Sequence, residues 1–410
     1  MMRNLFNLLL FLAITNSVLS QNIVINEILS SNSFSNMDED GSYQDWIELY
    51  NNGATTENLS GYGLSDDATI LYKWTFPSIS IAPGEYLLVW ASDKNRTVAG
   101  SPLHTNFKLA MAGNAVLLTN PSGTTVDMVP SIPMQSDISY GRLPNGSGPF
   151  VFFQAITPNA VNSSVGYSEL LTPPTFSQNS GFFTAGFDLT LTATIPGATV
   201  LYTLDGSNPD ENNLSGTTYN YKNQYPEFPG NITGPLLQKS YQTLQYSTPI
   251  PIIDRSVVPN KIASISTTYS FNPTYIPANP IFKGTVVKAK LIKPGALSST
   301  IETKNYFISP QGNNRFTLPV MSLSIPENKL FDYNDGILVA GVDFDTWRTA
   351  NPTLEPPTSG TTANFFRKGI ANERIANMNY FVNGINVLNQ NIGLRVHGGS
   401  SRVAQNKSFI

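Results

Sequence analysis

Cysteine is absent from all 410 residues of the chain, and charged residues make up only 13% of it. Without cysteine there are no disulfides, no thiol nucleophile and no cysteine-based zinc site. The two histidines, His104 and His397, lie too far apart in the sequence to form the closely spaced pair of a zinc-protease helix. Lys and Arg total 24 against 28 Asp and Glu, a formal charge of −4. No basic stripe is present, so nucleic acid is excluded as a partner.

Glycine and proline are abundant, with 30 and 29 residues, and the chain is rich in Thr, Ser, Asn and Tyr. This composition favours short strands joined by turns, as in β-rich extracellular modules. At a prior of about 150 residues per domain, the length predicts two or three domains. The sequence therefore predicts a mainly β fold.

The N-terminus has the pattern of a secretory signal peptide over residues 1–20. Arg3 precedes the apolar run Leu5–Val18, and Val18-Leu19-Ser20 is a small-residue cleavage site. A buried N-terminal helix is the alternative. After Gln21 no apolar run reaches the roughly 20 residues that a membrane helix needs. We therefore expect a secreted or cell-surface protein without a membrane span.

Short alternating segments with turn signals between them fill residues 21–165, at a spacing typical of a β-sandwich. Five motifs in this region resemble the lamin-tail domain: Ile25–Ile28 (INEI), Asp45–Asn51 (DWIELYN), Leu59–Asp66 (LSGYGLSD), Phe76–Trp90 and Ser139–Gly146 (SYGRLPNG). The resemblance implies an immunoglobulin-like sandwich that serves adhesion or positioning, without catalysis.

Two groups of acidic residues in this region need an explanation. Asp38-Glu39-Asp40 with Asp45 could form a Ca²⁺ loop, but the twelve-residue EF-hand spacing and its terminal Glu are missing, so a solvated acidic loop is the alternative. Glu27 and Glu48 could pass for a glycosidase pair. The lamin-tail resemblance makes them structural positions, and we expect no catalytic and no metal residues here.

Residues 170–310 form the second predicted domain. Their motifs resemble the small β-sandwich at the C-terminus of chitobiases and β-hexosaminidases: PPTF at 173–176, YTLDGSNP at 202–209, YSTPI at 246–250, and the KAK and NYF segments at 288–290 and 305–307. An insertion at about 210–270 separates these motifs, and we predict that it forms an elaborated loop or an extra hairpin. Tyrosines within Tyr219–Tyr246 could stack on sugars if exposed; the alternative is that they cover the sandwich.

The third segment, residues 316–410, carries an ordered series of motifs: LFD at 330–332, GILVAG at 336–341, ANF at 363–365 and GLRVHGGSSR at 393–402. This series resembles the opening of the spore-coat protein H (CotH) kinase family of atypical secreted protein kinases. The resemblance implies an incomplete α+β kinase-like region that uses ATP and Mg²⁺ or Mn²⁺. The acidic residues that hold the metal in that family fall beyond the segment present, so we expect this chain to be inactive.

The end of the third segment suits a phosphate clamp. Gly398 and Gly399 allow backbone N–H groups to approach an anion, Ser400 and Ser401 add hydroxyls, and Arg402 and Lys407 add positive charge. The predicted nucleotide-binding residues are therefore Gly398, Gly399, Ser400, Ser401, Arg402 and Lys407. The alternative is a tight β-turn in which Arg402 is structural.

Three functions remain open. The chain is an exported protein whose two β-sandwich domains position a CotH-type kinase region, or a non-catalytic adhesion scaffold that binds an extracellular or cell-surface protein or polysaccharide. A carbohydrate-active enzyme is the third, and it lacks any recognisable catalytic domain.

Overall fold

The computed structural model describes residues 22–162 and 165–410, which pack as two compact units. The first unit ends at Leu170 but also includes Gly295–Leu297, and the second comprises Leu171–Pro294 and Ser298–Ile410. The signal peptide predicted at residues 1–20 lies outside the described residues. The predicted boundary near residue 310 falls inside the second unit, and the limits of the individual domains stay predictions.

The regular elements described in the first unit are all strands, in agreement with the mainly β prediction. In chain order they are β1 (Ile23–Leu29), β2 (Asp45–Asn51), β3 (Glu57–Asn58), β4 (Gly63–Ser65), β5 (Trp74–Thr75), β6 (Ser80–Ile81), β7 (Tyr86–Ala91), β8 (Leu103–His104), β9 (Val116–Thr119), β10 (Thr125–Val129), β11 (Ser139–Arg142), β12 (Phe150–Phe153), β13 (Gly166–Tyr167) and β14 (Glu169–Leu170).

Two sheets of this unit share one hydrophobic core. The larger has the order β13-β12-β11-β1-β2-β7-β8 and the smaller the order β10-β9-β4-β5. Ile25, Ile47 and Val89 from the first sheet pack with Leu64 and Leu118 from the second. Because apolar side chains of both sheets are removed from water together, the unit is a sandwich.

The first unit is completed by a distant piece of chain. Strand β14 pairs in parallel with a later strand, Ala296–Leu297, through the registers Glu169↔Ala296 and Leu170↔Leu297. Leu297 is buried in the same core cluster as the sandwich residues. The core of the first unit therefore depends on a segment that is far downstream in the sequence.

The second unit contains the remaining elements. The segment just described is β25 (Ala296–Leu297) and belongs to the first unit. The strands of the second unit are β15 (Thr175–Phe176), β16 (Gly181–Phe183), β17 (Phe187–Leu189), β18 (Leu191–Thr192), β19 (Thr199–Thr203), β20 (Thr217–Tyr221), β21 (Leu237–Tyr241), β22 (Leu244–Gln245), β23 (Ile250–Ile252), β24 (Thr285–Ile292), β26 (Glu302–Ile308), β27 (Val320–Ser324), β28 (Arg374–Val382), β29 (Ile385–Leu394), β30 (Val396–His397) and β31 (Ser408–Phe409). Its helices are α1 (Glu327–Phe331), α2 (Gly341–Ala350) and the 3₁₀ turns Glu211–Asn213, Ile262–Ser264, Gly312–Arg315, Asn364–Phe366, Ile370–Asn372 and Ser400–Val403.

Two sheets organise the second unit. One has five strands in the order β16-β26-β24-β19-β22, and the other has three in the order β27-β28-β29. The alternating run 187–193 has the sequence pattern of a single strand, but it divides at Thr190. Strand β17 pairs with β23, whereas β18 pairs with β15. Alternation alone does not reveal such a change of partner, because both halves keep the same period.

Three of the five tyrosines in Tyr219–Tyr246 are core residues rather than sugar-stacking residues. Tyr219 and Tyr221 are buried in a cluster with Phe331 of α1, and Tyr225 is fully buried in the cluster formed around Phe344 of α2. Rings enclosed in this way expose no face to a ligand. For these three tyrosines the alternative, that the aromatics cover the fold, is the one observed, whereas Tyr241 and Tyr246 are half-buried.

No helix in the two described ranges has the length and apolar character required to cross a bilayer.

Replacing Leu297 with Ala tests whether the distant segment completes the first unit. Leu297 is only 6% exposed, and such a truncation leaves a cavity that costs about 2–4 kcal/mol of unfolding free energy. Urea unfolding followed by tryptophan fluorescence measures this loss, since Trp46, Trp74 and Trp90 are all buried in the first unit. Val98→Ala is the matched control, because Val98 is 67% exposed. Equal stabilities of the two variants would contradict the assignment.

Candidate functional site

A cationic pocket lies beside the predicted clamp, and of the six predicted residues Arg402 is the one that lines it. It encloses about 250 Å³ and is lined by Arg367, Lys368, Arg395, His397 and Arg402, among others. Arg367 and Lys368 follow the 3₁₀ turn Asn364–Phe366, and Arg395 lies between β29 and β30. His397 ends β30, and Arg402 belongs to the 3₁₀ turn Ser400–Val403. Four permanently charged side chains at one small pocket create a positive potential that attracts anions.

Two carboxylates balance part of this charge. Arg367 makes a bidentate contact with Asp343, with Nε–Oδ2 and Nη2–Oδ1 distances of 2.8 Å each. Arg395 pairs with Glu373 at 3.3 Å. The Asp343 carboxylate raises the pKa of Arg367. Lys368 is exposed, and within the described ranges its ammonium makes no ion pair, so the pocket retains a net positive charge.

Arg402 lies at the pocket but is turned towards the protein backbone. Its Nη1 donates to the carbonyl oxygens of Phe365, Phe366 and Arg367 at 3.1–3.3 Å, and its Nε donates to that of Gly398 at 2.7 Å. The residue is buried. These bonds connect the 365–367 turn to the 398–402 turn. They agree with the alternative to the phosphate clamp, in which Arg402 is structural.

Lys407 is likewise directed inward. Its ammonium donates to the backbone oxygens of Arg402 and Ala404, and it lies 4.2 Å from the centre of the Phe365 ring. Burial lowers the pKa of Lys407 to about 7. At neutral pH a large share of this side chain is uncharged, which weakens its suitability as a phosphate ligand.

The glycine and serine residues of the predicted clamp form the turn itself. Gly398 has φ 109°, and a Cβ there would lie 2.3 Å from Ser401 Oγ, so only glycine fits. Gly399 precedes the short 3₁₀ turn Ser400–Val403. The predicted site residues did not include Arg367, Lys368 and Arg395. The adjacent basic pair at 367–368 was the available signal.

The first unit contains a second group of titratable residues, centred on Glu27 and Glu48. These two side chains are fully buried and face each other across the β1–β2 register. Glu48 accepts from Asn26 Nδ2 at 2.9 Å and from the Asn159 backbone at 2.5 Å. Glu27 accepts from Ser139 and from the hydroxyl of Thr157.

The two carboxyls lack a cationic partner among these contacts, so burial dominates their titration. It raises the pKa of Glu48 to about 8 and also raises that of Glu27. All their hydrogen bonds go to side chains and backbone groups that fix the fold. This enclosure agrees with structural rather than catalytic carboxylates.

The acidic loop at Asp38–Asp40 is held by cations from a neighbouring segment. Lys94 pairs with Asp38 and Asp40, and Arg96 pairs with Glu39 and Asp40. The two cations lower the pKa of Asp40 to about 2. Asp45 does not join them and accepts instead from the Asn32 backbone.

One ion could reach Asp38, Glu39 and His104 together, since their ligand atoms lie within 4.8 Å of one another. His104 Nε2 contacts Glu39 at 2.9 Å, and its Nδ1 contacts Ser92 at 2.7 Å. A metal would have to displace existing ion pairs. The geometry therefore favours the ion-paired loop over a Ca²⁺ site.

The facing sheets and shared core of the first unit define the class of an immunoglobulin-like β-sandwich. Comparison with known families makes this more specific: residues 18–132 match the family described as Lamin Tail Domain. Residues 18–132 therefore contain a lamin-tail domain, as the four motifs between Ile25 and Trp90 predicted. The fifth motif, Ser139–Gly146, lies beyond the matched residues. A search of curated proteins finds no match to the chain.

We predict that the buried carboxyls make the first unit less stable as the pH rises. Glu48 binds its proton more tightly in the folded state than at its ordinary pKa of 4.5. Its contribution is therefore fully present below pH 4.5 and is lost as the pH rises through about 8. Relative to Glu48→Gln, the wild type should lose on the order of 3 kcal/mol between pH 5 and 8.

Urea unfolding at several pH values measures this difference, with exposed Glu85→Gln as the control. Parallel pH profiles for wild type and Glu48→Gln would show that Glu48 is ionised without penalty in the fold.

We also predict that Arg402→Ala destabilises the second unit by about 2 kcal/mol, because it leaves buried carbonyl oxygens without donors. Trp347, which is buried in this unit, reports its unfolding. Lys368→Ala is the control, since Lys368 lines the same pocket but is exposed. A neutral effect of Arg402→Ala would rule out the structural role.

Proposed function

We propose that this chain is an exported multidomain protein in which the lamin-tail domain and the following β-rich part position a CotH-type region that binds nucleotide phosphates. The observation that carries the proposal is the cationic pocket formed by Arg367, Lys368, Arg395 and Arg402. The CotH-like motifs at 330–402 supply several of its lining residues. Residues 1–20 supply the export signal in this proposal.

Lys368 and His397 are the groups best suited to reach a ligand. Both side chains are exposed at the pocket, whereas Arg402 and Lys407 are bonded to backbone oxygens. A lysine ammonium binds phosphate as a point charge, whereas an arginine guanidinium can bind it through two parallel hydrogen bonds. Arg395 is half-buried, and its pairing with Glu373 is long enough to be exchanged for an anion.

The proposal covers binding and assigns no phosphoryl transfer to the described residues. Transfer requires acidic groups that hold Mg²⁺ or Mn²⁺ and orient the attacking hydroxyl. Asp343 and Glu373, the carboxylates next to the pocket, are paired with Arg367 and Arg395. ATP with a divalent cation is therefore proposed as the ligand on the basis of the CotH resemblance.

A non-catalytic adhesion scaffold is the second candidate. The inward direction of Arg402 and Lys407 favours it, because both side chains stabilise the last turns of the described chain. Under this function the pocket is a by-product of turn packing, and the β-sandwich modules provide the binding surfaces.

Calorimetric titration of the full chain with ATP, with and without Mg²⁺, distinguishes the two functions. We expect saturable binding of ATP, and we expect inorganic pyrophosphate to compete with it. Lys368→Ala combined with Arg395→Ala should raise the Kd at least about tenfold, equivalent to about 1.4 kcal/mol.

Lys283→Ala is the matched control, since Lys283 belongs to the same unit but does not line the pocket. The absence of binding at millimolar ATP, or the same affinity in the double variant, would refute nucleotide binding and favour the scaffold.

A further inference from the structure

A second, larger groove lies in the second unit, away from the cationic pocket. It encloses about 600 Å³ between the Gln178–Phe183 segment, which leads into β16, and the Gly384–Asn389 segment at the start of β29. Its volume is in the range of small-molecule sites, roughly 300–1,000 Å³. None of the residues assigned to nucleotide binding lines it.

The groove is lined by uncharged hydrogen-bonding side chains. They are Gln178, Asn179, Ser180, Asn313, Asn386 and Asn389. The charged residue among its lining, Lys304, is neutralised by Glu302 at 2.8 Å. A primary amide both donates and accepts, so it suits ligands whose groups also do both.

The amides behind the groove form a directional chain. Asn386 Nδ2 donates to Asn379 Oδ1 at 2.6 Å, and Asn379 Nδ2 donates to Asn377 Oδ1 at 2.7 Å. Asn377 Nδ2 donates to Asn389 Oδ1 at 2.9 Å, and Asn389 Nδ2 donates to the Thr303 carbonyl at 3.1 Å. Each amide is thereby held in a defined orientation.

The chain of amides begins at an acceptor without a donor. Asn386 Oδ1 is buried, and no donor among the described residues reaches it. Leaving a buried acceptor unpaired costs about 1–3 kcal/mol. Asn386 itself lines the groove, so a ligand hydroxyl that displaces the groups covering this oxygen and donates to it removes that cost. The aligned amides behind the oxygen strengthen such a bond.

Apolar groups complete the lining. Phe182 and Phe183 are half-buried at the groove, and Phe182 is stacked on Phe307 with ring centres 4.7 Å apart. The exposed side chains of Ile385 and Val387 also border it. A fixed aromatic ring and aliphatic side chains offer packing surface to the C–H face of a sugar ring.

We propose that this groove binds a neutral carbohydrate. A sugar presents pairs of hydroxyls that donate and accept together with apolar ring faces, and the groove offers oriented amides, one unpaired acceptor and phenylalanine rings. An anionic ligand would meet no excess positive charge, because Lys304 is paired. The inference concerns a different site from the nucleotide pocket and does not depend on the proposed function.

Titration of the full chain with chitohexaose, cellohexaose, laminarihexaose and mannohexaose, followed by calorimetry, tests the proposal. We expect saturable binding of at least one of these neutral hexasaccharides. The double variant Gln178→Ala/Asn179→Ala changes only exposed residues, and Asn386→Leu removes the unpaired acceptor. Each should raise the Kd at least about tenfold, the equivalent of one lost hydrogen bond.

Asn406→Ala is the control, because Asn406 is an exposed asparagine of the same unit outside the groove. The two groove variants guard against an effect on folding, since the exposed pair bears no core contact. The proposal is overturned if no neutral hexasaccharide binds, if binding survives both groove substitutions, or if an oligogalacturonide binds more tightly than every neutral probe.

Discussion

The burial of two carboxyls without a cation is the constraint around which the first unit is organised. An ionised carboxylate in an apolar interior is costly unless hydrogen bonds or protonation compensate. Asn26, the extra residue of a bulge between Ile25 and Glu27, supplies one compensating bond to Glu48. The 139–159 region supplies the others from Ser139, Thr157 and Asn159. The carboxyls thus require that later segment to be in place.

In the second unit the buried charged groups include arginines, and backbone carbonyl oxygens provide their hydrogen bonds. Arg348 donates to the carbonyl oxygens of Pro226, Asn351 and Leu354, just as Arg402 donates to those of Phe365, Phe366 and Arg367. A guanidinium with five donors can satisfy several backbone oxygens of an irregular loop at once. A basic residue beside glycines in the sequence is therefore compatible with both anion binding and loop stabilisation, and only the direction of its side chain separates them.

Local signals allowed much of the fold to be predicted from the sequence. The hairpin of β9 and β10 is predictable from the sequence, because the turn residues at 120–123 and the flanking alternation are contiguous in the chain. The break at Thr190 was not predicted, and the sequence left open whether Arg402 binds phosphate or is structural. Both depend on partners that are distant in sequence. For the same reason the groove was missed: its amides come from the 178–180 and 386–389 segments, and neither has a recognisable motif.

The parallel pairing of β14 with β25 has a consequence for how the protein is made. Domains generally fold as the chain emerges from the ribosome, starting at the N-terminus. Here the first sandwich lacks Leu297 until more than a hundred further residues have been synthesised, roughly the length of a small domain. During that interval its core stays partly open to water and to other chains. Translation speed and chaperone access across residues 171–294 therefore influence the yield of a unit to which those residues do not belong.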